Sequence, residues 1–212
     1  RGNASAGCIK LPDSRPPNAD GNDKKLLRPA QVRPLFFEGN IMRGWAESLS
    51  LDARVKEIIG VASTSGFDAY LVGGALRNLI LGLGAGKDYD VCVKGDAMAF
   101  AKTLAKRLSA SVFLMDETRS AWRVVSRDGG MSVDVSLMKG GGIEEDLGER
   151  DFTINALALN LKDIGEARCR AIDPFNGIKD AKKKILRLVS DTALDDDPLR
   201  VVRAIRLSAE CA

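Results

Sequence analysis

The stretch from Leu71 to Val93, LVGGALRNLILGLGAGKDYDVCV, limits the folds open to this chain more than any other. It reads as a strand ending at Gly73-Gly74, a short helix from about Ala75 to Leu81, a glycine-rich turn, and a second strand opening with Asp88-Tyr89-Asp90. Side chains alternate along a strand, so Asp88, Asp90 and Cys92 share one face and Tyr89, Val91 and Val93 the other. The two carboxylates therefore project the same way, ~6 to 7 Å apart along the strand. Such a pair suits hard divalent cations, which take oxygen ligands and sit ~3.5–4 Å apart in two-metal phosphoryl-transfer sites. Gly73 and Gly74 lack side chains, so the backbone can approach a bulky anion and turn its N–H groups toward it. The helix that follows offers its positive end, and Arg77, one turn in, can reach a phosphate with two donors. A triphosphate held at one end, with metals at the other, is the skeleton of a nucleotidyl-transfer site.

Taken singly, Gly-Gly before a helix is a tight turn, and two aspartates at a strand edge are a solvated pair. Their spacing, fourteen residues apart in strand–turn–helix–turn–strand order, is what favours chemistry. The run Gly82-Leu83-Gly84-Ala85-Gly86-Lys87 imitates a P-loop and is rejected as one. A Walker A motif needs four residues between its first glycine and Gly-Lys, then Ser or Thr, then a helix. Here three residues intervene, Asp88 follows, and a strand begins.

At 212 residues the chain can bury a substantial core in one domain or somewhat more. A net charge of +3 is too small to argue for nucleic acid by itself. The absence of histidine removes His-based triads, His-ligated zinc and His general bases, so catalysis has to run on carboxylates, cations and metal ions. Cys8, Cys92, Cys169 and Cys211 show no metal-ligand spacing, and unpaired thiols point to a reducing compartment. The cytoplasm is the expectation, with organellar import left open. No apolar run is long enough to span a membrane, and none is expected as a partner. The chain starts without Met and stops inside an apparent helix, as a piece of a longer protein would.

Residues 1–48 read as a disordered or loosely attached extension, 49–175 as the catalytic unit and 176–212 as the start of a further helical unit. Val55, Ile58, Ile59 and Ala62 form a helical stripe closed by Gly66. Asp96 is a candidate N-cap for a helix marked by Ala97, Phe100, Ala101, Leu104 and Leu108. Strands are expected at Ala69–Val72, Ser111–Met115, Ala121–Ser126 and Met131–Leu137. In the last of these Ser132, Asp134 and Ser136 share a face. Asp134 is then either a third carboxylate beside Asp88 and Asp90 or a residue on a wet sheet face. Gly140–Gly142 with Glu144–Asp146 reads as a connector. Asp151 and Asn155 fall one helical turn apart: they either hold a ribose hydroxyl, with Arg150 covering a phosphate, or form an Asp cap beside an incidental Asn. Short strands are expected at Leu157–Leu161 and Arg170–Ile172, and a basic helix over Lys179–Leu188 with a solvated or RNA-touching face. Asp197 with Pro198 opens a final helix in which Leu199, Val202, Ile205 and Ala209 form the buried stripe. Asp197 and Arg200 either pair to present donors and acceptors to a base edge or serve as a cap with a surface ion pair.

Four segments in this order resemble the class II tRNA nucleotidyltransferases (CCA-adding enzymes) and the related bacterial poly(A) polymerases. The family's GGxVRDxLLG…DxD stands here as GGALRNLILG…DYD, and RRDFTxNA as ERDFTINA. DPFGGxxD stands as DPFNGIKD, and EDxxR lies within DDPLRVVRAIR. The match covers roughly Tyr70 to Cys211. The resemblance implies an α/β (mixed α+β) fold, a nucleotidyltransferase head with a mixed sheet of about five strands flanked by helices, followed by the start of an all-helical neck. It implies that Asp88 and Asp90 bind two Mg²⁺ ions, and that Arg150, Asp151 and Asn155 meet the triphosphate and ribose. Asp197 and Arg200, with Asp196 behind Arg200 and Arg203 nearby, would read the base of ATP or CTP. An RNA 3′-hydroxyl, of tRNA or another RNA, would attack the α-phosphorus in line and release pyrophosphate.

Three departures stand out. Asn78 replaces the usual Asp, Glu149 the usual first Arg, and Asp196 a Glu. Two other readings share the motifs: a poly(A) polymerase adding AMP to RNA 3′ ends, and a catalytically weak nucleotide-binding module. The sequence leaves the oligomeric state open.

Overall fold

A computed structural model describes residues 8–10, 49, 52–166 and 169–211. Strand β1 is Cys8–Lys10. Helix α1 spans Ala53–Thr64, opened by the Asp52 carboxylate accepting from the Arg54 N–H and followed by Gly66 at φ +72°. Strand β2 (Asp68–Val72) leads into helix α2 (Gly74–Ile80), and strand β3 is Asp88–Lys94. Asp96 caps helix α3 (Ala97–Leu108) through the Ala99 N–H, as its sequence position suggested. Strands β4 (Ser111–Asp116), β5 (Ala121–Val125) and β6 (Ser132–Leu137) follow. Helix α4 is Ile143–Gly148, a 3₁₀ turn covers Thr153–Asn155, and β7 is Ala158–Asn160. The remainder is α5 (Gly177–Lys182), β8 (Ile185–Arg187), α6 (Ala193–Asp196) and α7 (Leu199–Glu210).

The central sheet has six strands in the order β4-β5-β6-β3-β2-β7, one more than expected because β7 adds beside β2. Only β3 and β6 run parallel; the other neighbours are antiparallel, so the sheet is mixed. Alternation along β3 decides which side does what. Tyr89, Val91 and Val93 join Val55, Ile58, Phe100 and Leu104 in the main core, beneath α1 and α3. Fully burying a Phe such as Phe100 is worth roughly 1.5–3 kcal/mol. Cys92 faces the other way, into a smaller cluster with Val72, Ile143 and Leu147 under α4. That leaves Asp88 and Asp90 at the strand's open end on the α4 side.

Several expectations are corrected. The Gly140–Asp146 connector contains α4, because Ile143 and Leu147 have an apolar face of the sheet to cover. Arg170 and Ile172 are isolated bridge residues, Ile172 pairing with Ala158, and no strand forms there. The basic helix stops at Lys182; Lys184 at φ +54° turns the chain, and β8 pairs antiparallel with β1. Residues 176–212 are therefore not purely helical, and Cys8–Lys10 is tied to the fold. The other residues of the 1–48 extension lie outside the described residues, and Leu49, which follows it, is buried. The α7 stripe is inverted: Leu199, Val202 and Ile205 are 69, 63 and 69% exposed, and Ala209 is exposed too. The inner face of α7 is Leu207 and Cys211, packed with Phe152, Ile154, Ala181 and Leu186. The reason lies in the arginines of α7, which face the catalytic unit and turn the larger apolar stripe away. Cys92, Cys169 and Cys211 are buried free thiols. Among the described residues no helix is long and apolar enough to cross a membrane.

Candidate active site

One cleft of about 870 Å³ gathers the side chains singled out from the sequence: Gly73, Gly74, Arg77, Asp88, Asp90, Asp134, Arg150, Asp151, Asn155, Asp197, Arg200 and Arg203 all line it. Its floor is the β3–β6 pair. Parallel register places Asp90 beside Asp134 and Asp88 beside Ser132. Burial pushes the Asp90 carboxyl above the usual carboxylate value; the Arg150 charge opposes this and Asp134 adds to it. Asp134 does lie next to the DxD pair, yet both of its oxygens are occupied. Arg123, its register partner on β5, donates Nε and Nη2 to them at 2.6 Å each. That pairing holds the Arg123 charge more firmly than usual.

The glycine pair works differently from expectation. Gly73 sits at φ +73°, ψ −138°, a conformation that favours glycine. Its N–H donates to the Leu157 carbonyl at 3.3 Å, and the Gly74 N–H supports the ionised Asp90 carboxylate. A Cβ on Gly73 would lie 2.8 Å from Asp90 Oδ2 and 3.3 Å from Arg150 Nη1. The pair thus makes room for Asp90 and Arg150 and spends its N–H groups inside the protein.

Arg77 is likewise committed. It is 8% exposed, and a buried charge needs partners. Its Nε and Nη2 donate to Asn78 Oδ1 at 3.1 and 2.9 Å, and Nη1 donates to Asn155 Oδ1 at 2.7 Å. Glu210 Oε2 of α7 is 3.8 Å away. The expectation that Arg77 is free for a phosphate is corrected, and Asn78 keeps the acceptor oxygen an aspartate would supply. Asn155 Nδ2 in turn donates to Asp151 Oδ1 at 3.1 Å, which also accepts the Phe152 N–H at 2.8 Å. Asp151 is not a helix cap, since the 3₁₀ turn has Phe152 at its N-cap with no side-chain cap, and Asn155 is not incidental, being bonded to Asp151. Asp151 Oδ2 is buried and accepts no well-aligned hydrogen bond among the described residues; its charge partner is Arg203 Nη2 of α7, 2.9 Å away.

Arg200 departs furthest. It does not pair with Asp197: Nη1 and Nη2 donate to the carbonyls of Arg150 and Glu149, at 3.3 and 2.7 Å. Asp197 Oδ1 accepts from the Leu199 N–H, and Asp196 accepts from the Thr192 hydroxyl instead of backing Arg200. Backbone carbonyls at the end of α4 are nearer and fixed, so they capture the guanidinium. Sequence reasoning missed Asp146. It is 6% exposed, accepts the Lys139 N–H at 3.1 Å through Oδ1 and Arg150 Nη2 at 3.1 Å through Oδ2. Its position four residues before Arg150 was the available signal.

The donor set suits a divalent cation. Asp88 and Asp90 are hard oxygen donors on one strand face, and Asp90 carries a charge that burial and Asp134 disfavour, which a cation would relieve. Mg²⁺ is commonly held by one or two carboxylates plus substrate phosphates and waters, so an open two-carboxylate site fits it.

Comparison with known proteins gives concordant results. Residues 122–187 match the family model described as the poly A polymerase head domain. A CC-adding tRNA nucleotidyltransferase of Geobacter sulfurreducens is 37% identical over 152 residues, 72% of this chain and 34% of the relative. An A-adding tRNA nucleotidyltransferase of Deinococcus radiodurans is 41% identical over 138 residues, 65% of this chain and 29% of the relative. A solved structure of a CCA-adding enzyme with ATP superposes with a TM-score of 0.66 at 29% identity, covering 77% of this chain and 41% of that one. The Thermotoga maritima CCA-adding enzyme complexed with tRNA gives 0.64 at 29% identity, covering 76% and 40%. A mixed sheet with an acidic strand beside a Gly-Gly turn, taken with this likeness, defines a nucleotidyltransferase head. The chain spans only part of the length of the curated relatives it matches, 34% of the Geobacter CC-adding enzyme and 29% of the Deinococcus A-adding enzyme. Over the matched residues it is similar to the heads of the tRNA nucleotidyltransferase and bacterial poly(A) polymerase family.

Proposed function

We propose that this chain is the catalytic head of an enzyme that adds CMP or AMP, from CTP or ATP, to the 3′ end of tRNA. The observation that carries the reading is the convergence of Asp88, Asp90, Arg150, Asp151 and Asn155 on one cleft with Arg200 and Arg203 of α7. Asp88 and Asp90 would hold two Mg²⁺ ions. When bound, these ions lower the pKa of the attacking 3′-hydroxyl and offset charge on the departing pyrophosphate. Arg150 has a buried Nε without a partner among the described residues, a donor ready for a phosphate oxygen. Asp151 and Asn155, bonded to each other and paired with Arg203 and Arg77, would meet the ribose hydroxyls. Arg200 and Asp197 stand at the cleft's α7 wall for the base, which Arg200 would reach by leaving the two carbonyls it now holds. Buried free thiols fit a reducing compartment, the cytoplasm.

The test is incorporation of radiolabelled CTP and ATP into a tRNA lacking its terminal CCA, using the full-length protein. Ordered addition of C, C and A, or of C's alone or A alone, supports the reading and fixes the subtype. Open-ended A addition transfers the head to a poly(A) polymerase. Incorporation that survives Asp88→Ala with Asp90→Ala overturns the metal-site assignment, and nucleotide binding without any incorporation overturns the enzyme reading.

A further inference from the structure

The surroundings of Arg150 carry an inference that rests on the proposed function and deepens it. The Arg150 guanidinium lies between two acids. On one side Nη2 bonds Asp146 Oδ2 at 3.1 Å. On the other, Nη1 and Asp90 Oδ2 flank the space over Gly73: a single added carbon there would stand 3.3 Å from one and 2.8 Å from the other. The ion pair that forms is with Asp146. Asp146 is itself fixed, since its second oxygen accepts the Lys139 N–H and Leu147 beside it is fully buried under the sheet. Among the described residues Arg150 Nε is buried without an acceptor, an uncommon state for a buried donor.

We propose that Asp146 is a positioning residue for nucleotidyl transfer, holding the Arg150 guanidinium off Asp90 so that the carboxylate stays free for a divalent cation and the guanidinium for the nucleotide's phosphates. The electrostatics agree. Asp90 and Asp134 stand side by side in a partly buried site, and the nearest mobile positive charge is Arg150. Without Asp146 the acid that this charge faces across Gly73 is Asp90, the metal-binding carboxylate, where a guanidinium and a cation compete directly. The width of the Gly73 gap makes the swing short. Asp146 therefore acts on both substrates of the site, metal and nucleotide, while touching neither.

The full-length protein tests this with Mn²⁺ binding followed by electron paramagnetic resonance, which reads metal affinity without turnover, together with kcat and KM for the nucleotide and a thermal melt. In Asp146→Asn, Mn²⁺ affinity should fall by roughly 10-fold, the lower range for residues that orient metal ligands. KM should rise with it, and kcat at saturating metal should change much less. Asp146→Glu, which restores the charge, should recover most of both. In the double variant Asp146→Asn with Arg150→Ala, Mn²⁺ affinity should return toward wild type, because no guanidinium is left to compete. Should Asp146→Asn not fold, Asp146→Ser, which still offers an acceptor to the Lys139 N–H, carries the same comparison. Unchanged Mn²⁺ affinity in the folded single variant, or no recovery in the double variant, overturns the proposal. Failure of the wild type itself to bind Mn²⁺ or incorporate nucleotide removes the function as well; an active wild type with an indistinguishable Asp146→Asn removes this inference alone.

Discussion

Arg203 of α7 stands 2.9 Å from Asp151, whose carboxylate is only 3% exposed, and so joins the last helix to the turn that carries the ERDFTINA motif. Asp151 uses Oδ1 for the Phe152 N–H and Asn155; Arg203 is the partner of Oδ2. Arg203→Ala strands that oxygen. A buried acceptor left alone costs about 1–3 kcal/mol. Arg203 is half-exposed, so the loss should fall at the low end. A thermal melt should show a modest drop, with a larger rise in KM for the nucleotide as Asp151 and Asn155 loosen. An unchanged KM would remove Arg203 from the site.

Gly73→Ala and Gly74→Ala should behave very differently. A Cβ at Gly73 meets Asp90 Oδ2 at 2.8 Å and sits on a positive-φ residue, whereas one at Gly74 meets nothing closer than Arg77 Nη2 at 3.5 Å. Strain of this kind costs about 1–3 kcal/mol, and a metal ligand displaced by an ångström can lose on the order of 100-fold in rate. Incorporation assays on both variants check the contrast. Gly74→Ala should keep its fold, and Gly73→Ala should keep little activity.

Gly177→Ala should damage folding instead of chemistry. Its Cβ would come 2.0 Å from the Thr153 carbonyl oxygen, a backbone atom that cannot rotate away. Overpacking typically costs about 1–3 kcal/mol, and a backbone clash sits at or beyond the top of that range. The same Thr153 donates to Asp180 Oδ2 at 2.8 Å, so the clash would pull on a buried polar contact too. A melting temperature within a degree of wild type would contradict this packing.

Asp90 gives a dependence on pH with a definite sign. Burial raises its pKa above the usual carboxylate value, so the folded chain holds this proton more tightly than the unfolded chain. Its contribution to stability is full below the unfolded value and is lost as pH rises through the raised one. Asp90→Asn removes that loss. The metal-free variant should therefore melt above wild type at neutral pH, with the gap closing toward acid. Added Mg²⁺ should raise the wild-type melting temperature and leave Asp90→Asn nearly unmoved, which melts with and without the ion will show.

Much of this molecule is legible in one dimension because the signals are local. The alternation in β3 separates Tyr89, Val91 and Val93 from Asp88 and Asp90 regardless of what surrounds them, since a strand's geometry leaves no other arrangement. Asp96 capping α3 and the Asp151–Asn155 contact follow from spacings of three and four residues. What spacing cannot state is which of several partners a long cationic side chain chooses. Arg77 takes Asn78, Asn155 and Glu210 in place of an open cleft, Arg200 takes two backbone carbonyls in place of Asp197, and Arg123 claims Asp134. The sequence by itself determined the acids of β3, the glycines before α2 and the order of the elements. Tertiary structure alone decided how the guanidiniums are shared and which face of α7 is buried, because burial penalises an unpaired charge according to what lies within a few ångströms, and that neighbourhood is assembled from residues distant in sequence, Asn155 standing 78 positions from Arg77 and Glu210 farther still.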